Sequence, residues 1–257
     1  MGFDQEIIRK SPDKYRVKPV LILQHQLPEN AAYLATWLDQ RRIPYEIANA
    51  GADDTFPDTI EPYSALAVMG GGMSANDALL SNRQAEILIL QAVLRDVPVI
   101  GHCLGGQLMS RALGGTITAS PQPEIGWQPI AYKNDPQVRE WFGEDPTSTV
   151  IHWHYESFSV PAGATLLAGS EACPNQAWAF GPHLAMQFHI EINENKIHSW
   201  VNDDDAKWAQ AREQYVTVQD KIDMLAGIPY HLAQHQATAD SIYKKWLSTT
   251  PWAGFVA

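Results

Sequence analysis

Pro98 to Gly115, PVIGHCLGGQLMSRALGG, is the stretch that decides the fold. Val97, Val99 and Ile100 read as the end of a buried strand, and Gln107 to Leu113 carries apolar residues at helical spacing. Gly101, Gly105 and Gly106 surround the junction, and glycine allows the close backbone approaches that a tight strand-to-helix turn requires. Cys103 therefore falls at the apex of the turn, just ahead of a helix N-terminus, where the dipole and unpaired amides favour a thiolate. This is the layout of a nucleophile elbow carrying cysteine in place of serine. A small buried thiol closing a strand would need no such neighbours.

A nucleophile needs a base. LAMQFHIEI, Leu184 to Ile192, reads as a strand whose alternation puts Gln187, His189 and Glu191 on one face and Met186, Phe188 and Ile190 on the other. The carboxylate can then orient the imidazole, so that Cys103, His189 and Glu191 divide the work as nucleophile, general base and orienter. ALAVMGGGMSAND, Ala65 to Asp77, is an apolar strand running into three glycines. Backbone free of side chains there can aim amides at a developing oxyanion, together with the amide of Leu104. The glycine run has neither the Lys-Ser/Thr ending of a P-loop nor a full G-x-G-x-x-G, which disfavours nucleotide binding.

Outward from these stretches, strands and helices alternate. KPVLILQH reads as a first strand, Glu29 to Arg42 as a helix and YEIANA as a second strand; SALAVMG leads to the glycine loop, Arg83 to Arg95 is a helix, and VPVIGH leads to Cys103. Alternation of this kind predicts a parallel sheet covered on both faces, with its site at the carboxyl ends of the strands. Gly115 to Ala179 has more β-like runs and turns. After Asn195 the pattern is mostly helical, punctuated by Pro229 and Pro251, with Trp200, Trp208 and Trp246 available to pack on the body.

GHCLGGQL, MGGGM and QFHIE together resemble the class I glutamine amidotransferases, whose usual patterns are G-x-C-x-G-x-Q, G-G-P-G or G-G-P-M, and F-H-P-E. Their order and spacing match. The resemblance covers roughly Val20 to Asn195, and EIGW (Glu124 to Trp127) with HWHYESFSVPAGATLLAGSEACPNQAW (His152 to Trp178) is similar to the free-standing, GMP-synthase-like branch. It implies a flavodoxin-like three-layer α/β/α sandwich with a mostly parallel sheet, and hydrolysis of a glutamine side-chain amide through a glutamyl thioester. Carried over by position, Cys103 is the nucleophile, His189 the base and Glu191 its partner; Gly71 and Leu104 supply the oxyanion amides. Gln107, with backbone around Trp153, His154 and Tyr155, binds the amino-acid end of the substrate. The departures are Gly72 and Ile190 where proline is usual, and His102 where an apolar residue is usual. The expected organisation is an amidotransferase-like domain over residues 17–195 and a helical extension over 196–257 packed on it.

Composition bounds the partners. A formal net charge of -11 over 257 residues argues against nucleic acid, since no local basic patch interrupts it. No run is apolar enough to span a membrane, the N-terminus has no signal-peptide core, and Glu6 stands where myristoylation would need serine or threonine. Two cysteines, one of them in the candidate site, suit a reducing cytoplasm. No cofactor or metal is expected. His152 and His154 would share a strand face, but no third ligand at convincing spacing follows them, which favours a structural or cleft role over zinc. NDDD, Asn202 to Asp205, lacks the glycine and terminal glutamate of a calcium loop and reads as a solvated helix start, and Cys173 reads as filler.

The leading expectation is thus an amidase acting on glutamine or a related γ-glutamyl compound. Its nitrogen acceptor would be a partner synthase or water, and its helical tail would shape the cleft or a homodimer surface. The alternatives are a non-enzymatic binding or regulatory relative, a γ-glutamyl peptidase or hydrolase that ignores free glutamine, and a cysteine peptidase of a related three-layer fold.

Overall fold

The computed structural model describes residues 17–26, 29–50, 55–203 and 206–256. The N-terminal stretch around Glu6 and the Asp204 and Asp205 end of NDDD lie outside them. Among the described residues, nine strands form one sheet in the order β2-β1-β3-β4-β9-β8-β7-β5-β6. The parallel half comprises β1 (Val20–Gln24), β2 (Tyr45–Asn49), β3 (Ala65–Val68), β4 (Val99–His102) and β9 (His183–Met186). The antiparallel half adds β5 (Ile117–Tyr132), β6 (Thr147–Phe158), β7 (Thr165–Gly169) and β8 (Ala177–Phe180).

The parallel strands are apolar at nearly every position because both faces are covered. In β1, Val20 and Ile22 enter one core while Leu21 and Leu23 enter the other; Ala65 and Ala67 of β3 likewise oppose Leu66 and Val68. One covering layer holds α2 (Leu80–Leu94) and α3 (Leu104–Ala112). The opposite layer holds α1 (Ala32–Gln40), α4 (Pro136–Phe142) and α7 (Lys221–Leu247). The result is the flavodoxin-like three-layer sandwich. The last helix, α8, is Ala253–Val256.

α7 shares a core with β1 and α1. Its Ile242, Tyr243, Trp246 and Leu247 are fully buried beside Val20, Ile22 and Trp37, and the Trp246 indole donates to the Pro98 carbonyl at 3.1 Å. Each such apolar side chain removed from water contributes about 1.5–3 kcal/mol, so the helical tail helps hold the sheet that carries the site. A third cluster joins β5 and β6 to α5 (Glu194–Trp200) and α6 (Ala206–Gln214) through Ile125, Trp127, Ile151, Trp200 and Trp208.

Three local expectations are corrected. Pro229 lies inside α7 and does not break it: Pro229 is exposed, so the carbonyl it frees can face solvent, and Gly227, His231 and His235 pack against Trp127 on both sides of it. The strand read over Leu184 to Ile192 ends at Met186; beyond it only a single bridge, Ile151 to His189, continues the pairing. Phe188 and Ile190 nevertheless enter the core with Met186, so the alternation of sides persists. Finally α4 interrupts the β-rich middle, started by Asp135, whose side chain accepts from the Gln137 amide, with Pro136 in the first turn.

Candidate active site

Cys103 follows β4 directly and caps α3 with φ 48° and ψ -107°, in the positive-φ region that non-glycine residues rarely occupy. The turn is possible because α3 begins in backbone contact with the sheet. A Cβ on Gly105 would lie 2.1 Å from the Val68 carbonyl oxygen, and one on Gly106 would lie 2.5 Å from that of Met186. Cys103 is held by its amide, which donates to Met186 O at 2.9 Å, while its thiol points to the Trp153 carbonyl at 3.6 Å.

The segment after β9 brings His189 to this thiol. His189 lies near enough to Cys103 for the two to interact electrostatically, and its Nδ1 donates to Glu191 Oε1 at 2.7 Å. Burial alone would lower the imidazole pKa, but Glu191 and Cys103 outweigh it and push His189 up to about 10. Cys103, His189 and Glu191 thus fall in one neighbourhood, in which the His189–Glu191 hydrogen bond is the defined contact.

Glu191 is wholly buried and has a partner absent from the sequence reading. Lys196 Nζ, itself buried, donates to Glu191 Oε1 at 2.9 Å and to the Asn30 carbonyl at 3.0 Å, and lies 3.4 Å from Glu29 Oε2. Glu29 Oε1 accepts from the Trp200 indole at 2.9 Å, and the Trp200 ring packs edge-on to His189 at 4.8 Å. Burial opposes the Glu191 charge, yet Lys196, His189 and His102 hold its carboxyl well below the usual carboxylate range. His102 lies behind it, Nε2 at 3.8 Å from Glu191 Oε2, and burial lowers this imidazole to about 4.

The glycine loop follows β3. A Cβ on Gly71 would come 2.6 Å from Leu104 Cδ2, so the two candidate oxyanion residues are in contact beside Cys103. Gly72 departs from the usual proline for a visible reason: its amide, which proline lacks, donates to Gln26 Oε1 at 2.9 Å. Ile190, the other departure, is a fully buried core residue.

A cavity of about 770 Å³ opens onto Cys103, lined by Gly71, Gln107, Trp153, His154 and Tyr155 among others. Gln107 Nε2 donates to the Glu156 carbonyl at 3.2 Å and to Gln187 Oε1 at 3.4 Å. Gln187, on the face shared with His189, turns its own amide toward Cys103 Sγ at 3.7 Å and was not singled out from sequence. Trp153 packs on Trp208 and Trp200, and Lys207 lies 3.7 Å over the Tyr155 ring. The far wall is α6 and the residue after it, through Lys207, Gln210, Ala211, Gln214 and Tyr215.

His154 lines the cavity, but its ring is engaged elsewhere, with Nε2 3.1 Å from Glu124 Oε2 and Nδ1 3.3 Å from Ser120 Oγ. No third ligand follows His152 and His154 at ligand spacing, but the antiparallel pairing of β5 with β6 brings Glu124 to them from upstream. Cys173 is buried, its thiol pushed up to about 11 by that burial and directed at the Asn175 carbonyl.

The glutamine amidotransferase class-I family model matches residues 34–204. The chain belongs to the class I glutamine amidotransferases. Within that family, a glutamine amidotransferase-like protein of Salmonella typhimurium, YfeJ, is 30% identical over 73% of this chain and 82% of its own length. A glutamine-hydrolyzing GMP synthase of Bacillus pumilus is 31% identical over 48% of this chain but only 26% of its own length. Gamma-glutamyl peptidase 3 of Arabidopsis thaliana is 36% identical over 58% of this chain and 64% of its own. The crystal structure of a glutamine amidotransferase from Methylobacillus flagellatus superposes with a TM-score of 0.88 at 35% identity, covering 91% of this chain and 96% of that one. Among the described residues, no helix of this amidotransferase-family chain is long and apolar enough to cross a membrane.

Proposed function

We propose that this chain hydrolyses the side-chain amide of glutamine or of a related γ-glutamyl compound through a thioester on Cys103. The observation that carries the reading is Cys103 at the apex of its strand-to-helix turn, opening onto a cavity, with the hydrogen-bonded His189–Glu191 pair close by. With its proton held by His189, the Cys103 thiolate attacks the γ-carbonyl carbon, forming the S–C bond and placing negative charge on the oxygen, where the Gly71 and Leu104 amides stabilise it. Collapse breaks the C–N bond, and His189, which carries a proton at neutral pH, delivers it to the departing nitrogen. The neutral imidazole then takes a proton from water as the water attacks the thioester, releasing the γ-carboxylate and restoring Cys103 and His189. Glu191 keeps Nδ1 protonated and the ring in place throughout.

A second reading, a γ-glutamyl amine or peptide as substrate, is favoured by the cavity. Pockets for drug-sized ligands run about 300–1,000 Å³, and about 770 Å³ leaves room beyond a glutamyl group. The likeness to a gamma-glutamyl peptidase supports this reading, while the likeness to glutamine-hydrolyzing GMP synthases supports free glutamine, with ammonia passing to a partner synthase or to solvent. The deciding experiment offers purified protein glutamine, γ-glutamyl amines and γ-glutamyl peptides in parallel and follows released ammonia, amine and amino acid. Turnover abolished by Cys103→Ser supports the reaction, and the preferred leaving group selects between the two readings. Absence of turnover on the whole panel, with no acylation of Cys103, would instead favour a binding or regulatory relative.

A further inference from the structure

Glu124, His152 and His154 form a second buried cluster that the hydrolysis does not use. The β5 and β6 register sets Glu124 opposite His154 and Gly126 opposite His152, so all three side chains project from one face of the ladder. A bulge between Ala119 and Glu124 re-aims β5 just before it contributes the carboxylate. One donor atom from each residue lies within 4.8 Å of the other two. His152 is fully buried, and neither of its ring nitrogens has a hydrogen-bond partner. Native interiors rarely leave a polar side chain in that state. Its neighbours are the His154 and Phe188 rings and the Glu124 carboxylate, which cannot satisfy both nitrogens.

We propose that Glu124, His152 and His154 bind a divalent cation of the zinc type. Two imidazoles and one carboxylate are a donor set that zinc accepts, and a fourth position can be left to a water. Around them, Gln176 Nε2 donates to Glu124 Oε2 at 2.5 Å and Ser120 Oγ meets His154 Nδ1, contacts that orient ligands. Tetrahedral zinc, with ligands at about 2.0–2.1 Å, sets its donors roughly 3.4 Å apart; His154 Nε2 and Glu124 Oε2 are already 3.1 Å apart, and every donor lies within 4.8 Å of the others. Ser120 and His154 also line the cavity, which gives the ion a path from solvent. The other candidate trio, Glu29, His189 and Glu191, is served already by the Lys196 ammonium, which touches both carboxylates. Bound between β5 and β6, the cation would pin the strand whose Trp153 carbonyl meets the Cys103 thiol.

The test uses the whole protein, stripped with chelator, then equilibrated with zinc and separately with cobalt. One zinc per chain, a raised melting temperature on zinc addition, and cobalt absorption of tetrahedral form without a sulfur-to-cobalt charge-transfer band are expected. His152→Asn and Glu124→Gln should each weaken binding by at least about tenfold, while Cys103→Ser should retain it. Failure to hold zinc at micromolar concentration overturns the site, as does a thiolate charge-transfer band or binding that survives both substitutions. The stoichiometry and the cobalt spectrum are read on the unsubstituted chain, so a misfolded variant does not blunt the test.

Discussion

Lys196 Nζ and His189 Nδ1 converge on one oxygen, Glu191 Oε1, at 2.9 and 2.7 Å. The carboxylate is therefore shared between two cations in a dry environment, and neither contact is screened as it would be at the surface. Lys196 never meets the cavity that Cys103 opens onto, so it acts through Glu191, as a positioning residue.

Replacing Lys196 by Met should lower kcat by about tenfold, equivalent to about 1.4 kcal/mol of transition-state stabilisation, with KM little changed. With the ammonium gone, the Glu191 carboxyl protonates at higher pH, so the acid limb of the kcat profile should move upward; Lys196→Arg should restore part of it. Removing one partner of a buried pair costs about 3–5 kcal/mol of stability, which denaturant unfolding would register separately. A pH profile unmoved in Lys196→Met would show a purely structural role.

The two cysteines differ enough for selective labelling. Cys103 opens onto the cavity, whereas Cys173 is 1% exposed with its thiol raised by burial to about 11. A γ-glutamyl electrophile should modify Cys103 alone, identified by peptide mass, and Cys103→Ser should lose turnover by roughly three orders of magnitude or more. Modification at Cys173 would overturn the assignment.

His25, His102 and His235 are buried, and burial lowers each to about 4. Unfolding returns them to about 6.5, so between those values the unfolded chain binds more protons and stability falls as pH falls. The slope is about 1.4 kcal/mol per pH unit for each proton taken up on unfolding. Glu191, lowered in the fold, adds a loss of the same sign below its unfolded value. His189 works the other way: raised to about 10, its contribution is complete below about pH 6.5 and disappears as pH climbs through 10. Thermal unfolding should show a maximum near neutrality with a steep acid side; an unchanged midpoint from pH 7.5 to 4.5 contradicts this.

Gly105→Ala should destabilise. Alanine improves helix propensity by about 0.5–1 kcal/mol, but its methyl would meet the Val68 oxygen at 2.1 Å. Overpacking of that kind costs about 1–3 kcal/mol and more where the obstacle is backbone. Urea unfolding would measure the balance, and a variant as stable as the parent would mean that α3 can back away from β3.

Much of this was legible because its signals are local. The elbow around Cys103, the glycine run at Gly70 to Gly72 and the His189–Glu191 pair each lie within one short stretch, and the alternating apolar strands foretell a two-faced sheet. The start of α4 was also written locally, in Asp135 and Pro136, but the surrounding β-rich runs outweighed it. Lys196, Glu29 and Trp200 reach Glu191 and His189 only after α5 folds back onto Glu29 and Asn30, just before α1, which no periodicity reveals. Glu124 meets His152 and His154 through strand register, a property of two segments and a bulge together.

Trp153 gives its carbonyl to the Cys103 thiol and its ring to Trp208 and Trp200, and Trp200 in turn abuts His189. Trp153 and Trp200 thus border the candidate reacting groups, with Trp208 packed behind Trp153. Under the proposed reaction, acylation of Cys103 would alter the group against the Trp153 backbone, and proton loss from His189 would remove a cation beside Trp200. The intrinsic emission of the protein would then report on the proposed thioester as it forms and decays, making individual turnover steps visible without an attached dye.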